Sequence, residues 1–206
     1  MNPKPVLALD VDGVLIEPYP HEQWAAELLE NLGIDSVLFF THLRPHLKDL
    51  MTGHLVMEAV LPDVFSRLGA DITPQTYLDF WYSRELCVRK DMIDAAKKWQ
   101  QQTGGRLVLA TNQDRSRAKH IWEDAGLNEH FELMLVSCDL GAAKPEPEFF
   151  ALAAERLGGH AGVLFLDDSL KNVEAALRHG WEARQVEDIS ASVSWLETLG
   201  AATLED

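Results

Sequence analysis

Apolar, strand-forming runs occur at Val6–Leu9, Arg106–Ala110, Leu133–Val136 and Val163–Leu166, with a weaker one at Ala183–Val186. A short run that is apolar at successive positions suits a strand buried on both faces, because a half-exposed strand would alternate with polar residues. After residue 104 the runs are separated by amphipathic segments of helical length, at about Ser116–Ala125, Pro145–Leu157 and Leu170–His179. Gly126, Gly158 and Gly180 stand where helix C-caps belong. Strand and helix in alternation are the pattern of βαβ units, so the sheet is expected to be parallel.

Between the first two runs the pattern changes. Trp24–Leu32, Leu47–Met51, Leu55–Leu68 and Thr76–Leu86 read as helical, and no strand is convincing. Asp35-Ser36 and Thr73-Pro74 look like helix starts, while Pro45 and Pro62 limit how long their segments stay regular. Asp91–Gln102 then leads through Gly104-Gly105 back into the sheet. The predicted fold is α/β: a Rossmann-like three-layer parallel-sheet core formed by residues 1–16 and 91–206, with residues 17–90 inserted as a separate helical unit.

Composition narrows the function. The 206 residues are 47% hydrophobic and 25% charged, as in ordinary globular proteins. A net charge of -15, with no run of Lys and Arg, argues against nucleic acid as a partner. The two cysteines, Cys87 and Cys138, lack a metal-binding spacing and are expected to be buried, reduced thiols. The apolar stretch near the N-terminus reaches Asp10 too soon for a signal peptide or membrane span, so a cytoplasmic protein without membrane contact is expected, monomeric or weakly dimeric. The acidic stretch Glu197–Asp206 is too short to be a functional arm.

The charges that matter stand at strand ends. Asp10 and Asp12 follow the first run and Asp167-Asp168 end the fourth. Open parallel sheets bind ligands at the C-terminal ends of their strands, and carboxylates gathered there need a cation. Mg2+ prefers a few carboxylates together with waters and phosphate oxygens, which points to phosphoryl chemistry. Thr111-Asn112 ends the second run, and Lys144-Pro145 follows the third.

In this order and spacing the pieces resemble the haloacid dehalogenase superfamily, specifically its phosphatases with a helical cap inserted after the first strand. The resemblance covers essentially the whole chain and is carried by Leu9-Asp10-Val11-Asp12-Gly13-Val14-Leu15, Ala110-Thr111-Asn112, Gly141-Ala142-Ala143-Lys144-Pro145-Glu146-Pro147 and Phe165-Leu166-Asp167-Asp168-Ser169-Leu170-Lys171-Asn172. The inserted unit matches the cap only in position and helical character. The resemblance implies Asp10 as nucleophile, forming an aspartyl phosphate. Asp12 would protonate the leaving group and then take a proton from water, a role that calls for a raised pKa, as crowding by other carboxylates would supply. Gly13 permits a turn whose N–H groups approach the phosphate. The Thr111 hydroxyl and the Asn112 N–H can donate to phosphoryl oxygens, and Lys144, with Pro145 at a helix N1, can offset the charge of Asp10 and the phosphate. Mg2+ would lie between Asp10, the Asp12 carbonyl and Asp168, with Asp167 assisting. Asn172 either supports this loop or makes an ordinary contact at a helix start.

Other features carry blander readings. His42 and His46 have i,i+4 spacing, but Pro45 interrupts the helix, so they join Arg44 and Lys48 as a candidate polar contact set of the inserted unit. Phe39-Phe40 and Phe80-Trp81-Tyr82 are read as core, while Trp24 stays ambiguous. The leading expectation is a Mg2+-dependent phosphatase of a small phosphorylated metabolite, such as a sugar phosphate. A phosphosugar mutase, a 2-haloacid dehalogenase and a non-catalytic binding protein are the alternatives. A dehalogenase is disfavoured because a halide leaves without a proton and those relatives lack the second carboxylate, present here as Asp12.

Overall fold

A computed structural model describes residues 4–84, 87–159 and 162–202. Strands β1 (Val6–Leu9), β2 (Arg106–Thr111), β3 (Leu133–Val136), β4 (Val163–Asp167) and β5 (Glu182–Gln185) form one parallel sheet in the order β3-β2-β1-β4-β5. Between β1 and β2 come helices α1 (His21–Leu32), α2 (Ser36–Leu43), α3 (Leu47–Met51), α4 (Met57–Leu68) and α5 (Pro74–Tyr82). After them follow α6 (Lys90–Thr103), α7 (Arg115–Glu123), α8 (Ser137–Leu140), α9 (Pro147–Leu157), α10 (Leu170–Arg178) and α11 (Ile189–Ala202).

The unbroken apolar runs are explained by burial on both faces. On one face Leu7, Leu9 and Leu109 pack with Met92 and Trp99 of α6, Ile121 of α7 and Leu196 of α11. On the other, Val6, Ala8 and Phe165 pack with Phe149, Phe150 and Ala153 of α9 and Ala176 of α10. The strand order reverses beside β1, which opens a crevice at the C-terminal strand ends.

The inserted helices have their own core, in which Trp24, Leu28, Phe39, Leu61, Phe65 and Tyr77 meet. Asp35 and Thr73 cap α2 and α5 by accepting from Leu38 N (2.9 Å) and Thr76 N (3.1 Å), as the sequence implies. The segments leading out of the sheet and back into it run together: Glu17 N donates to the Cys87 carbonyl at 3.0 Å and Arg89 N to that of Leu15 at 2.7 Å.

Several expectations are corrected. Pro62 lies inside α4, where the buried stripe of Val60, Leu61, Val64 and Phe65 holds the helix together around the missing N–H. The segment expected from Thr76 to Leu86 runs from Pro74 to Tyr82; residues 85 and 86 lie outside the described part, as do residues 1–3 of the N-terminal stretch. Pro147, not Pro145, occupies N1 of α9, with Glu146 as N-cap. Glu197 belongs to α11, which packs on α6 and is tied by Lys98 Nζ to Glu197 Oε1 at 3.2 Å. Cys138 is buried, but Cys87 is exposed on the segment returning from the insertion.

Candidate active site

Asp10 is the first residue beyond β1, and its N–H still bonds to the Leu166 carbonyl (2.9 Å), so its side chain emerges between β2 and β4. Its Oδ1 accepts from Val11 N at 2.8 Å. Lys144 reaches the same point from the loop between α8 and α9. Its buried ammonium lies 3.0 Å from Asp10 Oδ1, 2.6 Å from Asp167 Oδ2 and 2.7 Å from the Ala110 carbonyl. An ammonium has three protons, and these three acceptors use them all. The loop is held by the Asn112 side chain, which donates to the Lys144 carbonyl and accepts from its N–H, both at 2.8 Å.

One ammonium thus faces two buried carboxylates, which leaves a negative charge in excess. Burial pushes the Asp10 pKa up to about 7; Lys144 pulls against this and Asp167 adds to it. For Lys144 burial acts downward, but the two carboxylates outweigh it and keep the ammonium protonated. Asp167, with no exposed surface, also accepts from Ser169 N (2.8 Å) and from Asn172 Nδ2 (3.0 and 3.1 Å). Asp168 is exposed, yet its pKa is raised, by desolvation first and then by Asp167. Oxygens of Asp10, Asp167 and Asp168 lie within 4.8 Å of one another. This donor set fits a hard divalent cation, which would offset the excess charge.

Gly13 makes room for the arrangement. Its φ is +74°, and a Cβ there would lie 2.6 Å from Asp168 Oδ2. Thr111, at the end of β2, is buried, and its Oγ1 accepts from Gln113 Nε2 at 3.1 Å.

Asp12 departs from expectation. Arg117 on α7 grips its carboxylate with both terminal nitrogens, Nη2 to Oδ1 at 2.7 Å and Nη1 to Oδ2 at 2.8 Å, and Gln113 Nε2 adds a bond of 2.8 Å to Oδ2. Burial acts to raise the Asp12 pKa, but the hydrogen bonds and charge of Arg117, with Gln113, more than offset it, so the carboxyl lies below the usual range. The expected raising is therefore corrected: the nearest charge is a guanidinium rather than another carboxylate.

The Asp12–Arg117 pair forms part of the wall of a cavity of about 390 Å³ between the sheet and the inserted helices. Trp24, Phe40, Leu43, Met51, Met57 and Trp81 supply much of the rest, so every inserted helix contributes. The aromatic groups therefore divide: Phe39 and Phe80 are buried in the helical core, while Phe40 and Trp81 face the cavity. Arg44 and Lys48 are exposed, and neither they nor His42 and His46 line it. Contacts bridge the two units: Ser116 Oγ donates to Glu58 Oε1 at 2.6 Å, and Tyr82 stacks on His120 with ring centroids 4.2 Å apart.

Asp10, Lys144, Asp167 and Asp168 converge as the sequence suggests, with Gly13, Thr111 and Asn112 around them. Gln113 and Arg117 were missed. The available signal was their position on either side of the helix cap Asp114, Gln113 just before it and Arg117 in the first turn of α7, where Arg117 Nη1 donates to Gln113 Oε1 at 2.6 Å.

Residues 5–180 match the haloacid dehalogenase-like hydrolase family. Among solved structures, the chain is similar to a haloacid dehalogenase family enzyme of Bacteroides thetaiotaomicron in complex with magnesium and inorganic phosphate. That similarity has a TM-score of 0.77 and 20% identity, covering 92% of this chain and 98% of the other. It is also similar to a protein described as a dehalogenase (TM-score 0.63, 14% identity, 91% and 86% covered). A stretch of 72 residues is 32% identical to bifunctional epoxide hydrolase 2 of Rattus norvegicus, spanning 34% of this chain and 13% of that protein. Among the described residues no helix is long and apolar enough to cross a membrane.

Proposed function

The chain belongs to the haloacid dehalogenase-like hydrolases, and within that family we propose a Mg2+-dependent phosphatase that acts on a small phosphorylated metabolite through an aspartyl-phosphate intermediate. The observation that carries this reading is Asp12: a second carboxylate opens into the cavity beside Asp10, where an ester leaving group would need a proton and a halide would not. The helical unit, residues 17–90, acts as a cap over the core formed by 1–16 and 91–206, and a cytoplasmic location accords with this role.

Asp10 attacks phosphorus, the bond to the ester oxygen breaks, and Asp12 delivers a proton to the departing alkoxide. Water then attacks the aspartyl phosphate, Asp12 takes its proton, and phosphate leaves with Asp10 regenerated. Paired with Arg117, Asp12 is set in the ionised form that the second step needs; the first step requires that pair to loosen once the anionic substrate competes for the guanidinium. Thr111 and the N–H groups around Gly13 and Asn112 donate to the phosphoryl oxygens, while Lys144, whose protons are already engaged, offsets their charge. Asp10, Asp168 and the Asp12 carbonyl, with Asp167 assisting, would hold Mg2+, which would supply charge neutralisation at the nucleophile and phosphate.

The test is phosphate release from a panel of phosphate esters with Mg2+. Asp10→Asn should lose turnover while staying folded. Asp12→Asn should lose about 10²- to 10⁴-fold on an alkyl phosphate and less on an aryl phosphate, whose leaving group needs less help. Equal losses on both would remove the acid role. Full activity after chelation would remove Mg2+, and halide release from a 2-haloacid would restore the dehalogenase.

A further inference from the structure

Resting on the phosphatase reading, we propose that the substrate is the phosphate monoester of an apolar, aromatic alcohol rather than of a sugar. The cavity beside the catalytic aspartates is where the part of the ester beyond its oxygen must lie, since Asp12 lines it and has to reach that oxygen. Its volume, about 390 Å³, is equivalent to roughly a dozen waters at about 30 Å³ each, enough for a bicyclic ring system.

The chemistry of the wall selects the occupant. Trp24, Phe40 and Trp81 present rings, and Leu43, Met51 and Met57 fill the space between them with aliphatic and thioether surface suited to flat, apolar partners. A sugar can stack on aromatic rings, but its hydroxyls need hydrogen-bond partners once water is excluded. His21 and Glu17 are exposed, but the more enclosed polar side chains of this wall are engaged. Tyr19 Oη donates to Glu27 Oε1 at 2.8 Å and accepts from Gln23 Nε2 at 2.6 Å. Asp12 and Arg117 hold one another, and Glu17 lies 3.9 Å from Arg89. A body with several hydroxyls would leave most of them unpaired, and a second anionic group would have to compete with Asp12 for Arg117.

The experiment compares kcat/KM with Mg2+ for naphthylmethyl phosphate, glucose 6-phosphate and acetyl phosphate, the last reporting on the core chemistry alone. Naphthylmethyl phosphate should exceed glucose 6-phosphate by about 100-fold or more, as expected where one substrate leaves buried polar groups unpaired. Phe40 and Met51 are only half-buried, so Phe40→Gln and Met51→Gln should fold. Each should cut the preference for naphthylmethyl phosphate over glucose 6-phosphate by about 10-fold. As a readout apart from turnover, naphthylmethanol should quench tryptophan fluorescence saturably in the wild type and more weakly in both variants. Equal or better turnover of glucose 6-phosphate, or variants that keep the naphthyl preference, would overturn the proposal and leave the phosphatase standing. Failure to hydrolyse any of the three, acetyl phosphate included, would overturn the phosphatase reading itself and this proposal with it.

Discussion

Replacing Lys144 by Met tests the charge balance of the site directly. The side chain keeps its length but loses the ammonium, leaving Asp10, Asp167 and the Ala110 carbonyl without their shared donor. Removing one partner from a buried ion pair costs about 3–5 kcal/mol, a large part of the roughly 5–15 kcal/mol that holds a typical domain together. In a protein of this size each kcal/mol lowers the melting temperature by about 2–4 °C, so the loss should be roughly 6–20 °C. The deficit should depend on pH in a definite sense. The Asp10 pKa of about 7 lies above its unfolded value near 4, so ionising Asp10 costs stability as pH rises from about 4 through 7. Without Lys144 that pKa climbs further, and the cost above neutrality grows. The gap between variant and wild type should therefore be widest near pH 8 and should narrow near pH 5, where both carry a protonated Asp10. Urea unfolding at those two pH values, with chelator present and followed by tryptophan fluorescence, measures it. A variant within about 1 kcal/mol of wild type at pH 8, or a gap independent of pH, would refute the argument.

Two further outcomes follow from neighbouring geometry. Gly13→Ala adds a Cβ that would lie 2.6 Å from Asp168 Oδ2 at a φ of +74°, so it should displace Asp168 and weaken Mg2+ binding about 10- to 100-fold; unchanged affinity by calorimetry would contradict that placement. Asp114 caps α7 through Oδ1, but its buried Oδ2 has no partner, and burial raises its pKa against the pull of the Arg117 and Ser116 N–H groups. Because the folded pKa is raised, ionised Asp114 costs stability that is recovered as pH falls. Asp114→Ser, which keeps a capping oxygen, should match or exceed wild type at neutral pH, whereas Asp114→Ala should unfold about 1 kcal/mol more easily; the reverse order in denaturation would remove the assigned cost.

Most of the sheet was legible because burial on both faces makes β1, β3 and β4 and nearly all of β2 apolar, a signal that needs no partner to be recognised, whereas β5, with Glu182, Arg184 and Gln185, gives only a weak run. Helix α11 was not: its Ser, Thr and Gly positions blur the stripe that Leu196 and Val193 turn toward α6. The convergence of Asp10, Lys144 and Asp167 could be read from strand ends, since parallel strands bring those ends together wherever they lie in the chain. Arg117 could not be read in the same way, because 105 residues separate it from Asp12 and only the packing of α7 against the β1 loop makes them neighbours. The cavity wall was hidden for a related reason. An aromatic residue on an inserted helix has the same periodicity whether it faces the helical core, as Phe39 does, or open space, as Phe40 does.

The paired segments around Glu17 and Cys87 have a consequence for how such a molecule can diversify. Since the backbone leaves and rejoins the sheet at hydrogen-bonding distance, the intervening helices are, to the sheet, a closed loop. Closure entropy grows only logarithmically, so a loop of about seventy residues costs the sheet only about 2 kcal/mol more than one of about ten. The helices recover far more than that in a core of their own. Lengthening, shortening or exchanging this stretch would change the walls around a bound molecule while Asp10, Lys144 and Asp167 stayed in register, so selectivity and reactivity in this architecture are separately heritable.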